Sequence, residues 1–432
     1  MGELAQSLVL IASLLLLLAA GVWVSLALVA SGLVALLLFT DAPAGIIFAT
    51  KSWDASANWA LTALPLFIWM GEILYRTRLA EDMFSGLGPW VRRLPGRLVH
   101  VNVLGCGIFA AVSGSSAATA ATIGRISLPE LKARGYDDGL AIGSLAGAGT
   151  LGLLIPPSIV MIVYGVAAQV SLIKLFIAGI LPGLLLMALF SGYIGVWSLR
   201  NPARVPPREP AVPWLTMLAR LRLLLPVVAL IAGVIGSIYA GIATATEAAT
   251  IGVIGALAIA AWGKSLNRRS FIDSLMGATR TSCMISFILL GAAYLTSAMS
   301  FTGLPANLAE WISSLGLSQY GLIAVLTVFF ILMGAFLDGI SIVVLTTAVL
   351  MPAIQAADID PIWFGIYLIL VVEMAQITPP VGFNLFVIQG ITGRNLFELV
   401  RMAFPFFLLL VLATAIITIF PAIVTALPLA MR

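Results

Sequence analysis

The chain has 432 residues, 61% of them hydrophobic, a mean hydropathy of +1.13 and a net charge of +4. Only 9% of the residues are charged, against about 25% in soluble domains, too few to cover a water-soluble globule, so a soluble enzyme or a nucleic-acid binder is excluded. Two cysteines in apolar stretches, Cys106 and Cys283, and a single histidine, His100, leave no basis for a disulfide framework, a metal cluster or His-based triad chemistry.

A membrane helix needs roughly 20 mostly apolar residues. Candidate spans fall near 4–20, 22–39, 57–75, 139–167, 173–198, 220–240, 244–262, 271–298, 362–388 and 396–426. Two further stretches, 98–131 and 319–355, are too long for one straight span and carry polar residues at their middles, Ser113-Gly114-Ser115-Ser116 and Asp338-Gly339. Each is either two ordinary helices with a loop or a re-entrant hairpin whose tip stops in mid-membrane.

Basic residues choose between these readings, because cytoplasmic loops carry the excess of Lys and Arg. Arg76, Arg78, Arg92, Arg93 and Arg97 precede the first stretch, and Lys132 and Arg134 follow it. With both stretches read as hairpins, the clusters at 200–222, 264–269 and Arg394 fall on the same side. Ten crossings and two opposed hairpins result. The near-absence of charge at the N-terminus speaks against a cleaved signal peptide.

A shift of 223 residues lays Pro129 on Pro352, Pro156 and Pro157 on Pro379 and Pro380, Pro182 on Pro405 and Gly32 on Gly255. Residues 1–199 and 214–432 therefore read as two repeats joined by a Pro- and Arg-rich cytoplasmic linker at 200–213. Each repeat holds a hairpin (about 98–131, about 319–355), then a broken helix (about 139–167, about 362–388). Five crossings per repeat make the second inverted relative to the first. The fold class is an all-α polytopic membrane protein of inverted-topology repeats, a signature of secondary transporters.

Ile155-Pro156-Pro157-Ser158 and Thr378-Pro379-Pro380-Val381 sit deep in apolar spans. Proline removes a donor and frees carbonyls where no lipid can satisfy them. The alternatives are a simple kink or a site in which free carbonyls and hydroxyls hold Na⁺ while half-helix N-termini attract a carboxylate. Hydroxyls of Ser113, Ser115, Ser116 and Thr119 crowd the first tip, and Asp338-Gly339-Ile340-Ser341 takes that place in the second. Asp338, Glu72, Glu247 and Glu373 are carboxylates at membrane depth, where burying a charge costs about 2.5–3.5 kcal/mol or more. Each is a functional candidate or a member of a structural pair. The glycines from Gly143 to Gly149 read as close helix packing with possible carbonyl ligands. Trp53, Trp59, Trp90, Trp214, Trp262 and Trp311 read as interfacial anchors.

Together, Ser113-Gly114-Ser115-Ser116, Gly135-Tyr136, Ile155-Pro156-Pro157-Ser158, Gly241-Ile242-Ala243-Thr244-Ala245-Thr246-Glu247, Asp338-Gly339 and Thr378-Pro379-Pro380-Val381-Gly382-Phe383-Asn384 resemble the large membrane subunit of TRAP transporters, the DctM-like family. The resemblance covers essentially the whole chain. It implies a Na⁺-coupled importer of an organic acid, such as a dicarboxylate, working by an elevator motion in the bacterial inner membrane and surrounded by its lipids. It implies two partners, a four-helix small membrane subunit (DctQ-like) and a periplasmic substrate-binding protein (DctP-like). The small subunit is expected as a separate chain, because the large-subunit pattern starts almost at residue 1.

Carried over by position, Ser113, Ser115 and Ser158 would bind substrate. One Na⁺ would sit among Ser113, Ser116, Gly149 and Ile155, and a second among Gly334, Asp338, Gly339, Ala375 and Thr378. Some sialic-acid members carry a cationic residue after the Pro-Pro-Ser, whereas this chain has Val160 and Met161, which favours a smaller carboxylate. The alternative within transport is a stand-alone Na⁺- or H⁺-coupled anion symporter of the same broad fold. An intramembrane enzyme would need a His-Glu-x-x-His, a Gly-x-Gly-Asp or a Ser/His couple at depth, and the sequence has none. A purely structural scaffold would leave two polar tips without a use to offset their desolvation.

Overall fold

The computed structural model describes residues 3–207, 213–303, 307, 310, 314, 316–334, 337–379 and 382–431. Trp311, Pro380, Val381 and 208–212 of the linker lie outside them. Among the described residues every regular element is a helix. The first half runs α1 Glu3–Ala19, α2 Val24–Phe39, α3 Ala44–Ser56, α4 Ala63–Tyr75, α5 Leu79–Val91, α6 His100–Ser113, α7 Ser116–Ala133, α8 Asp138–Leu154, α9 Ile159–Ala167 and α10 Leu172–Arg200. After α11 Trp214–Leu221 come α12 Leu225–Tyr239, α13 Ala245–Trp262, α14 Arg268–Phe301, α15 Gln319–Gly334 and α16 Gly339–Ala356. The chain ends with α17 Pro361–Gln376, α18 Phe383–Thr392, α19 Leu396–Ile419 and α20 Ala422–Ala430.

Helix ends recur at the 223-residue shift. Helix α7 covers 116–133 and α16 covers 339–356; α8 starts at 138 and α17 at 361; α2 and α13 end at 39 and 262. N-caps recur with them. Ser115 and Asp338 cap α7 and α16, while Asp137 and Asp360 cap α8 and α17, each side chain accepting a first-turn N–H. The turns into α8 and α17 both take a left-handed residue, Gly135 (φ +76°) and Asp358 (φ +56°).

Packing follows the same pseudo-symmetry, and it is exchanged between repeats. Helix α14 packs on α2 while α13 packs on α4, and α9 packs on α16 while α18 packs on α7. Two packing groups result. One is built on α2, α4, α13 and α14; the other gathers the hairpins α6–α7 and α15–α16 around α8, α9, α17 and α18, with α10 and α19 across them.

Spans differ from the sequence reading in two places. The stretch at 57–75 is preceded by a separate helix, α3, and the two segments bend by 49° where Asn58 accepts the Ala60 N–H and starts a short 3₁₀ turn. The span at 396–426 divides at Phe420-Pro421, because proline brings no N–H to continue α19. Taken singly, only α10, α13, α14 and α19 among the described helices are long and apolar enough to cross a membrane; α3–α4, α8–α9 and α11–α12 pass as bent pairs.

The centre of the hairpin group is the pair α8 and α17, in which 140–154 and 363–376 are wholly buried. Helix α8 can run so close to its neighbours because of its glycines. A methyl group on Gly143 would overlap the Met402 carbonyl, on Gly147 it would meet Phe406 Cβ at 2.7 Å, and on Gly149 Ala120 Cβ at 2.8 Å. The Gly143→Ala variant should lose about 1–3 kcal/mol from overpacking against an immovable backbone. Gly192 on α10 faces open space, so Gly192→Ala should be neutral or stabilising by up to about 1 kcal/mol. Thermal unfolding of the two purified variants checks the contrast.

Candidate functional site

At the first tip, α6 ends at Ser113, Gly114 turns left-handed (φ +59°), and Ser115 is extended as the N-cap of α7. The hydroxyls of Ser113 and Thr119 lie 2.8 Å apart, and the Thr119 hydroxyl donates to the Ser115 carbonyl at 2.8 Å. Glycine is required here twice over. A Cβ on Gly114 would come within 2.9 Å of the Pro157 carbonyl, and one on Gly152 would run into the Ser115 carbonyl.

Those contacts seat the tip in the break between α8 and α9. The Ile159 N–H donates to the Gly114 carbonyl at 3.3 Å. Ile155 is extended, and Ser158, fully buried, caps α9. The structure thus seats the Ser113–Ser116 turn against Gly152 of α8 and against Pro157 and Ile159, which flank Ser158, while Gly149 packs on Ala120 further along α7 and the Ile155 side chain lies towards Gly107 and Gly183. The start of α9 meets the turn that opens α7 through the bond from Ile159 to Gly114, which sets two partial positive charges near the tip hydroxyls.

The second tip is built on different residues. A Cβ on Gly334 would overlap Ala375, and one on Gly339 would meet Val372 Cγ1 at 2.7 Å and Gln376 Nε2 at 3.3 Å. Gly334, Asp338 and Gly339 are therefore held against the C-terminal turn of α17. Ala375 offers its carbonyl to the N–H and hydroxyl of Thr378, at 3.3 and 3.1 Å. Carbonyls of Gln376 and Thr378 close on Gly382, 3.0 and 2.7 Å from where its Cβ would stand.

Asp338 is exposed and caps α16, accepting the N–H groups of Ile340 and Ser341 at 3.1 and 3.3 Å and the Ser341 hydroxyl. Its geometry is that of a cap, and Pro380 and Val381 lie outside the described residues.

The other carboxylates separate clearly. Glu72 pairs with Arg76, which also donates to the Glu72 and Asp273 carbonyls, at 2.7 and 3.3 Å, and joins α4 to α14. Glu247 closes a capping box with Thr244 at the start of α13. Glu373 is fully buried with no hydrogen-bond partner among the described residues. Gln376 and Asn384 also carry unpartnered buried atoms beside the tips. Gln376 was missed from the sequence; its signal was an amide three residues after Glu373 in the apolar run before Thr378.

An all-helical membrane protein whose exchanged repeats meet at hydroxyl- and carbonyl-lined helix breaks is, as a class, a secondary-transporter permease. The chain belongs to the family of the DctM component of the tripartite ATP-independent periplasmic transporters, whose model matches residues 11–423. It is a permease component and not an enzyme. It is 34% identical over 402 residues to the C4-dicarboxylate TRAP transporter large permease protein DctM of Pseudomonas aeruginosa, covering 92% of each chain. To the protein of the same name from Rhodobacter capsulatus it is 32% identical over 444 residues, covering 98% of this chain and 99% of the relative. Its fold is similar to that of the YdaH transporter of Alcanivorax borkumensis, whose crystal structure was described as revealing an unusual topology, with a TM-score of 0.59 at 14% identity over 86% of each chain.

The cap at Asp338 is open to a direct test. Asp338→Asn retains a capping oxygen and should leave stability within about 0.5 kcal/mol, whereas Asp338→Ala should lose about 1 kcal/mol. Comparing the two melting temperatures separates the cap from the charge. An effect of the Asn variant on Na⁺ response alone would assign the carboxylate a second role at the tip.

Proposed function

We propose that this protein is the large subunit of a Na⁺-driven importer of a small organic acid in a bacterial inner membrane. The observation that carries the reading is the seating of the first tip in the α8–α9 break, through the Gly114 carbonyl and the Ile159 N–H. It gives two helix N-termini and three serine hydroxyls in one place, the chemistry that receives a carboxylate. Ser113, Ser115 and Ser158 are its contacts.

Na⁺ is the coupling ion, held at Ser113, Ser116, Gly149 and Ile155 and again at Gly334, Asp338, Gly339, Ala375 and Thr378. Hydroxyls and carbonyls suit a hard monovalent cation, and at the second site the Asp338 carboxylate adds a fixed negative charge to these dipoles. Ion binding organises the interrupted helices, the carboxylate then completes the site, and the lowered net charge lets the loaded hairpin group move as an elevator against the α2, α4, α13 and α14 group. A dicarboxylate is the preferred substrate. Both relatives described above bear that substrate in their names, and the buried Val160 and Met161 put apolar rather than cationic groups after the Pro-Pro-Ser motif. A small membrane subunit and a periplasmic binding protein complete the tripartite system.

Thermal stability in Na⁺ against K⁺ at equal ionic strength is the first test. A ligand at about 100 times its dissociation constant adds roughly 2.7 kcal/mol, so Na⁺ should raise the melting temperature and K⁺ should not. In reconstituted vesicles with both partners, Ser113→Ala and Ser158→Ala should lower dicarboxylate uptake while the protein stays folded. Full uptake by both variants would remove the serines from the substrate site.

A further inference from the structure

Helices α8 and α17 pack together at the centre of the hairpin group, and the 223-residue shift makes Thr150 and Glu373 equivalent positions on them. Glu373 is 0% exposed and, among the described residues, neither carboxylate oxygen has a hydrogen-bond partner. The fully buried Thr150 hydroxyl faces that carboxylate, but its proton goes to the Gly147 carbonyl at 2.8 Å. What remains on the Glu373 side is the oxygen with its lone pair.

Asn384 of α18, also 0% exposed, has both carboxamide atoms unpartnered. It reaches α8 one residue from Thr150, since a methyl group on Gly149 would stand 3.5 Å from Asn384 Nδ2. A carboxylate, a hydroxyl oxygen and a carboxamide thus approach a single turn of α8. Among the described residues no cation is paired with them. On the helices packed against α17, the charged residues are Asp138, Lys174, Arg200, Glu398 and Arg401, all within two turns of a helix end, and Asp338 is taken up by its cap.

A buried carboxylate without a donor or a counter-charge is among the costliest groups a membrane protein can hold. We propose that Glu373, the Thr150 hydroxyl oxygen and the Asn384 carboxamide oxygen form a third Na⁺ site where α8 meets α17, between the two hairpin tips. This rests on the Na⁺-driven reading above and adds to it a fully buried negative charge, where the tips offer hydroxyls, carbonyls and the exposed, capping Asp338. One carboxylate balances one monovalent cation, whereas a divalent ion would leave net charge in an apolar interior. Oxygen-only donors are those a hard cation takes. The site lies beside Gly149 and Ala375, backbone positions of the two tip sites, so filling it couples the tips.

The test uses the full-length purified protein with Na⁺ exchanged for K⁺ at constant ionic strength. Equilibrium binding of radiolabelled Na⁺ gives the stoichiometry, and thermal-shift titration gives the affinity and steepness. Glu373→Gln, close in shape and uncharged, should bind one Na⁺ fewer per chain and show a shallower titration. In K⁺ it should melt at or above the temperature of the unsubstituted protein, because an unpaired charge has gone. Thr150→Val, which keeps the shape but removes the oxygen, should weaken Na⁺ binding about tenfold without a change in K⁺; it carries the test if the Gln variant does not fold.

Equal Na⁺ stoichiometry in the Gln variant, with Na⁺ response retained, overturns the third site and leaves the tip sites standing. So does a carboxylic-acid C=O infrared band that persists in Na⁺ and is lost in Glu373→Gln, since that would mark a neutral acid in place of a bound ion. Destabilisation of the Gln variant alike in both cations assigns Glu373 a packing role and overturns the proposal. No Na⁺ response in the unsubstituted protein overturns the Na⁺ reading itself.

Discussion

Backbone satisfaction at membrane depth is the constraint on which the rest of this structure depends. An interrupted helix exposes N–H and C=O groups that lipid cannot bond, and this chain interrupts its apolar stretches repeatedly. The interruptions are tolerated because they are packed against one another. The Gly114 carbonyl takes the Ile159 N–H, the Ser115 carbonyl takes the Thr119 hydroxyl, and the Ala375 carbonyl takes both donors of Thr378. Such contacts demand close approach, which is why Gly114, Gly152 and Gly334 stand where a Cβ would collide with the facing segment.

That demand also explains the exchange between the repeats. A broken helix cannot be completed by its own repeat alone, so its second half packs on the hairpin arm of the other, α9 on α16 and α18 on α7. Helices α10 and α19 then close over the centre. Gly179 of α10 lies 2.7 Å, measured from where its Cβ would stand, from the Leu154 carbonyl at the break. The group of α2, α4, α13 and α14 repeats the exchange with uninterrupted packing, where Gly32 accepts Tyr294 and Gly252 accepts Met70.

Charge is distributed by the same logic of cost. Carboxylates near helix ends are absorbed locally, Glu247 in its capping box, Asp338 and Asp360 as caps, and Glu72 in its pair with Arg76. Asp138 meets Arg394 and so ties the start of α8 to the segment entering α19. Glu373 alone among these has no local partner among the described residues, and it lies on α17, which with α8 forms the buried centre of the hairpin group.

Much of this was legible in the amino-acid sequence. Hydropathy determined a polytopic helical membrane protein, because 61% apolar residues leave no soluble alternative. The repeated prolines located the repeat, and the polar residues inside apolar runs marked the tips, since neither proline nor a hydroxyl cluster is cheap at that depth. Tertiary structure alone decided the rest. Periodicity did not show that Asn58 turns the chain from a separate helix, α3, into the stretch at 57–75, because a side-chain cap acts through geometry rather than hydropathy. It also could not sort Glu72, Glu247, Asp338 and Glu373, which as residues carry the same charge. Their roles depend on whether a donor stands within hydrogen-bond reach: for Glu72, Glu247 and Asp338 the placing of a helix end brings one from within four residues, whereas for Glu373, deep in the packing between segments, none is present among the described residues.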